Sequence, residues 1–249
     1  MKNLFILSFL LVSCSLFSQS YVVNYNEYFS FKDGNIEDLR EQLKSSEKED
    51  RPVMTLLYKN GESFYGYSEH NYEVDDKEKS AVERQVSSAV STSNYYRNQK
   101  EQVLLMNYFN FMPNFEYGED ILIQDVLPIF EWEITDIKDT ISGYSCTLAK
   151  STKKNGAKIV AWFTEDIAIN DGPREYWGLP GLILQVQIND KVLIAARSIK
   201  KLDKDIDIPR PTKGNKMTQE EFLILRKELT KPRTFTAPDG SVRTISRPQ

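Results

Sequence analysis

From residue 21 onward the chain is written in short runs that alternate apolar and polar residues, broken by turn-forming pairs, which is the signature of half-buried strands rather than helices. Val23, Tyr25, Phe29 and Phe31 fall on one side of a first strand, interrupted by Glu27, and Asp33-Gly34 closes it. Asn35 then caps a short helix over 36–44, with Ile36, Leu39 and Leu43 on one face and Glu37 and Asp38 in the first turn, where the helix dipole favours acids. Segments 53–58 and 63–67 flank Asn60-Gly61, the strongest short-range hairpin signal in the chain. Residues 102–109 and 121–125 give further strands, and Phe130, Trp132 and Ile134 alternate with Glu131 and Glu133. Asn155-Gly156 folds 147–149 back onto 158–164. After it, Leu182, Leu184, Val186 and Ile188 line one face of a strand opposite Gln185 and Gln187, with Ile183 as the apolar exception on the outer face. Asn189-Asp190 turns that strand into 192–196. Near the end, Thr218 with Glu221 forms a capping box, and Phe222, Leu225 and Leu229 give the helix behind it an apolar side.

Between the last two hairpins lies Gly178-Leu179-Pro180-Gly181-Leu182-Ile183. A residue before proline is pushed out of the α region, Pro180 sets φ for the second position of a turn, and Gly181 is expected to supply positive φ at the third, which makes a type II turn. Residues 69–100 are polar and rich in Ser, Asn, Glu and Lys, and are expected to form a long exposed excursion, either an insertion or a mobile cover. Segment 231–249, with its Pro, Arg, Thr and Ser, is expected to be a loosely ordered tail.

The start of the chain changes the picture. Met1-Lys2-Asn3 and the apolar run over 4–12 are too short for a membrane span and have the shape of a secretory signal, so residues 1–18 are expected to be removed and the mature chain to be exported without a transmembrane span. A second exit competes, because Leu11-Val12-Ser13-Cys14 is similar to a bacterial lipobox that would leave an acylated Cys14. With Cys14 in that segment, Cys146 stands alone, a small hydrophobe in an alternating strand. A single histidine, His70, excludes a multi-histidine metal site. Glu73, Asp75 and Asp76 lack the spacing and glycine of a calcium loop, so no metal or cofactor is expected. Lys and Arg total 32 against 36 acids, a net charge of -4, which argues against nucleic acid as a partner. The 249 residues, 12% of them aromatic, suit one β-rich domain over 19–230.

Ala161-Trp162-Phe163-Thr164, Gly172-Pro173-Arg174-Glu175-Tyr176-Trp177 and the hexapeptide that follows resemble the signature of the GLPGLI family of exported, Bacteroidetes-type bacterial proteins. The likeness extends from Trp132 and Thr135-Asp136 through 141–149 to about residue 200; Gly156-Ala157 departs from it where a Gly-Arg pair is common. That family has no settled biochemical function, so the resemblance implies a location, the periplasm or cell envelope, more than a chemistry. Two readings of the signature stand. In one it is a stereotyped turn with aromatic rings packed beside it. In the other Trp162, Asp166, Tyr176, Trp177, Gly178, Leu179, Pro180 and Gly181 present a binding surface. A catalytic reading draws on Glu165, Asp166, Asp171 and Glu175, with Asp166 and Glu175 as the carboxylate pair of a periplasmic hydrolase; Asp171-Gly172-Pro173 is otherwise explained as turn chemistry. The fold expected is mainly β (α+β), an antiparallel curved open sheet or half-barrel of successive hairpins with peripheral helices, one near the C-terminus. Its expected role is non-catalytic, a binding or structural accessory with an apolar groove for an apolar ligand or an envelope protein.

Overall fold

The computed structural model describes residues 20–30, 35–45, 54–67, 93–111, 119–231, 233–236 and 242–245. Residues 1–18 with Cys14, His70, and most of the 69–100 excursion lie outside them.

Eleven strands, β1 (Ser20–Phe29), β2 (Met54–Lys59), β3 (Glu62–Gly66), β4 (Ser93–Asn98), β5 (Val103–Phe111), β6 (Glu119–Val126), β7 (Glu133–Ile141), β8 (Tyr144–Thr152), β9 (Lys158–Thr164), β10 (Leu182–Ile188) and β11 (Val192–Leu202), join a short β12 (Asn215–Met217) in one open sheet. Its order is β12-β6-β5-β4-β3-β2-β1-β11-β10-β9-β8-β7. Every pairing is antiparallel except β12 on β6. The N-terminal strand is the seam between two meanders, β2 to β6 on one side and β7 to β11 on the other.

This order forces curvature. Ten strand spacings separate β6 from β7, which in a flat sheet is about 48 Å. Only residues 127–132 connect them, and a chain that short reaches at most about 25 Å. The sheet therefore curls until its ends approach one another.

Each face is covered. Outside, α1 (Ile36–Ser45) packs Leu39 against Tyr28 and Leu193. It starts where Asn35 accepts a hydrogen bond from the Glu37 N–H at 3.0 Å. A strap after β11 lays Ile206 and Ile208 over Val22, Leu57, Phe64 and Leu202, and Ile208 continues onto Tyr96, Leu105 and Leu122. Inside, Val23, Tyr25, Leu56, Tyr65, Ala161, Phe163, Val186 and Ile194 form the main core. A second inner cluster, Leu104, Met106, Ile121, Ile123 and Leu127, is closed by Phe222 of α2 (Gln219–Thr230). That helix begins at the expected capping box, with Thr218 and Glu221 bonded reciprocally.

Asn60-Gly61 makes its hairpin with φ of 50° and 83°, a type I′ turn. Several expectations need correction. Segment 93–98, assigned to the polar excursion, is a sheet strand, because Tyr95 and Arg97 point into the core and Tyr96 packs outside. Glu27 does not interrupt β1; it sits part-buried and ion-paired, whereas Phe29 is 41% exposed and Tyr28 takes the buried place. Ile183 is not an outward exception: a bulge at Leu184 shifts the register so that Ile183 opposes Phe163 and Val186 opposes Ala161, on one face. The segment expected to be a loose tail contains a second, two-stranded sheet, β13 (Arg233–Thr236) paired with β14 (Val242–Ile245).

Candidate functional site

The link from β9 to β10, residues 165–181, carries the first four residues of the hexapeptide, whose last two open β10, and runs inside the curl. Ile167, Ile169, Tyr176 and Leu179 join the same buried cluster as the core-facing strand residues. They occupy the face that was expected to line an apolar groove. Their backbone is held locally: Leu182 N–H donates to the Ile167 carbonyl at 3.1 Å and Ile183 N–H to the Asp171 carbonyl at 2.9 Å.

The expected type II turn is absent. Gly181 is not among the positive-φ residues; its N–H reaches back to the Leu179 carbonyl at 2.8 Å, a γ-turn centred on Pro180. Glycine is needed there for space, since a Cβ would stand 2.0 Å from the Thr164 carbonyl oxygen. The positive φ belongs to Gly178, at 96°, and its N–H donates to the Asn170 side chain at 2.6 Å.

Three ion pairs fix this loop to three distant parts of the sheet. Arg97 of β4, 1% exposed, donates to the Asp171 carboxylate, to the carbonyls of Arg174, Gly172 and Tyr176, and to Ser63 Oγ. Arg174 grips Glu27 of β1 through two bonds of 2.8 and 2.5 Å, and Tyr65 donates to the same carboxylate at 2.7 Å. Lys153, just beyond β8, meets Glu175 at 2.5 Å and lies 4.9 Å from the centre of the Tyr176 ring. Tyr25 donates to the Ile183 carbonyl at 2.7 Å.

The loop also ties down the short link between the two ends of the sheet. Trp132 donates its indole N–H to the Trp177 carbonyl at 2.9 Å, and Trp177 donates its own to the Pro128 carbonyl at 2.8 Å. Phe130 stacks on Trp132 at 5.3 Å and leans on Tyr176 at 5.4 Å.

Electrostatics follow from this packing. Burial pushes the Asp171 carboxyl up from its ordinary range, against the pull of Arg97 and of the Gly172 N–H. Burial also works against ionised Glu175, but Lys153, with help from Arg174, outweighs it and holds Glu175 below the ordinary glutamate value. The phenols of Tyr25, Tyr65, Tyr95 and Tyr176 are all pushed up by burial. Cys146 is free and fully buried, and burial raises its thiol to about 11.

Of the expected site residues, Tyr176, Leu179 and Gly181 are buried and Trp177 and Trp162 half-buried, while Gly178, Pro180 and Asp166 are exposed. Trp162 opposes Gln185 and Leu148, one position off the Phe163 core face. Asp166 and Glu165 stand in solvent at the end of β9, so only Glu175 of the supposed carboxylate pair enters the ion-pair network. Asp171 is no mere turn residue, being 0% exposed and paired. Arg97 and Glu27 were missed. The available signal was Tyr95-Tyr96 beside an arginine in an otherwise polar run, and an acid in the middle of an apolar alternation.

Residues 149–185 match a family described as "Protein of unknown function (Porph_ging)". No curated protein matches the chain. Two solved structures of PNGF-II, in space groups C2 and P21, are similar at 16% and 17% identity, each with a TM-score of 0.53 over 87% of this chain. The chain spans 34% of the length of those structures, and the likeness shows the fold.

Proposed function

We propose that this is an exported cell-envelope protein that works by binding another protein rather than by catalysis. What supports this is how the inward charges are used: Asp171, Glu175 and Glu27 each have a cation against them, so these three carboxylates serve to hold the loop, while Glu165 and Asp166 stand apart in solvent. Glu175, kept ionised by Lys153, is poorly suited to act as a general acid. The loop's own aliphatic residues fill the inner face, which favours a protein partner over a small apolar ligand held there.

Among the described residues, a surface open to a partner is the ribbon from the inter-meander link into β7, although Leu223 and Ile224 of α2 are exposed as well. Ile129 is 91% exposed, Ile134 50% and Ile137 53%, with Phe130 and Trp132 half-buried beside them. Exposed aliphatic residues gathered on one segment mark an interaction surface more often than scattered ones do. Among the described residues no helix is long and apolar enough to cross a membrane.

The test is native co-purification from the envelope with full-length protein and the double variant Ile129→Ser/Ile137→Ser. The expected result is a stoichiometric protein partner that the variant loses while keeping its thermal midpoint. A partner retained by the variant would contradict the reading, and so would a hydrolytic activity abolished by Asp166→Asn or Glu175→Gln.

A further inference from the structure

We infer that α2 is a self-association helix: two copies of this chain pair through it antiparallel, about a two-fold axis between Leu223 and Ile224. This goes beyond the ribbon and shares no residue with it. A surface helix that packs one side onto a fold ordinarily carries polar residues on the other. On α2 the inner side is Phe222 and Leu225, which close the cluster of Leu104, Met106, Ile121, Ile123 and Leu127, with the Phe222 ring stacked on Tyr108 at 4.7 Å. The opposite side is Glu220, Leu223, Ile224 and Lys227, at i, i+3, i+4 and i+7, the spacing of a single stripe. All four are exposed, Leu223 by 52% and Ile224 by 56%, and among the described residues neither aliphatic joins a buried cluster.

What fits this stripe is the stripe itself. Glu220 and Lys227 lie equally far from the midpoint of Leu223 and Ile224, about 5 Å to either side along the axis. Turned end for end, a second stripe therefore sets Lys227 against Glu220 at both flanks and Leu223 against Ile224 at the centre. A parallel pair would instead oppose Glu220 to Glu220 and Lys227 to Lys227, which disfavours it. Charges beside the stripe are engaged elsewhere: Glu228 holds Lys231 at 2.6 Å, and Arg226 sits 5.9 Å from the centre of the Phe222 ring. The surface is also presented rigidly. The capping box fixes the first turn and Phe222, 1% exposed, anchors the helix to the sheet, so little order is lost on pairing. Because the same patch serves both copies, the contact closes at the dimer. One helix pair buries well under the roughly 1,200 Å² of a standard interface, so the dimer is weak and reversible.

Sedimentation of the purified full chain between about 5 and 500 µM tests this. The expected results are a wild type in monomer–dimer equilibrium that salt weakens, and a Leu223→Gln/Ile224→Gln variant that stays monomeric with an unchanged thermal midpoint. Glu220→Lys and Lys227→Glu each turn two flanking attractions into repulsions, so each alone should dimerise about tenfold more weakly. Mixed in equal amounts, they should pair with each other as tightly as the wild type does, because every flank again joins opposite charges. Misfolded variants could not recover in this way. A wild type monomeric throughout the range, a Leu223→Gln/Ile224→Gln variant that still dimerises, single-charge variants as tight as the wild type, or a mixture as weak as its components would overturn the inference. So would a monomeric wild type whose Leu223→Gln/Ile224→Gln variant loses an envelope protein, which would assign the stripe to a different partner.

Discussion

A guanidinium that is 1% exposed must place its donors well, and Arg97 places them on a carboxylate, three carbonyls and a hydroxyl. Removing the carboxylate alone strands a buried cation, so Asp171→Ala is expected to cost about 3–5 kcal/mol, and Arg97→Lys is not conservative because an ammonium cannot reach the same fork of acceptors. Urea denaturation of both variants checks this; a loss within about 0.5 kcal/mol for either would mean the pair is dispensable. Gly181 is constrained differently, by a carbonyl rather than by φ. Adding a Cβ 2.0 Å from the Thr164 oxygen forces backbone apart, so Gly181→Ala is expected to lose about 2–3 kcal/mol. Asp166→Ala, in solvent, should lose within about 0.5 kcal/mol. Equal thermal midpoints for those two would refute the close-approach reading.

At the scale of elements, what was legible in the sequence was what local chemistry decides. Asn60-Gly61 and Asn155-Gly156 turned where their backbone freedom says they should, Asn35 and Thr218 capped their helices, and the strand of residues 182–188 appeared with its following turn. What stayed hidden depends on distant partners. β4 looks like polar filler until Asp171, 74 residues away, neutralises Arg97. The bulge at Leu184 and the crowding of Gly181 by Thr164 are likewise products of register and approach, which no window of neighbours contains. The tie between Lys153 and Glu175 yields a pH prediction. Folding depresses the Glu175 pKa, so its contribution is complete above the unfolded value and is lost as pH falls through the folded one. Asp171, with a raised pKa, acts in the opposite sense, since acid relieves its burial cost. Glu175 therefore contributes to the acid-side loss of stability, as does Glu221, which the Thr218 N–H and hydroxyl hold below the ordinary glutamate value, and Glu175→Gln should reduce the dependence of unfolding free energy on pH as pH falls below about 5. An unchanged slope would remove Glu175 from the account.

For the molecule as a whole, the organising fact is that an open sheet whose two ends are joined by a short link must curl, and that the space inside the curl is filled by the loop bearing the hexapeptide. The loop reaches β1 through Arg174, β4 through Asp171, the end of β8 through Glu175 and the inter-meander link through Trp177. A loop pinned at four places cannot open by itself at low cost. It should exchange its buried amides only when the whole domain unfolds. Native-state hydrogen exchange measures this directly at the N–H groups of Leu182 and Ile183, whose acceptors are the Ile167 and Asp171 carbonyls. The account predicts opening free energies at both sites equal to the global unfolding free energy, and falling with it in denaturant. Exchange at either site through a local opening several kcal/mol cheaper would show a mobile segment, and would contradict the claim that the signature is the fold's internal clasp.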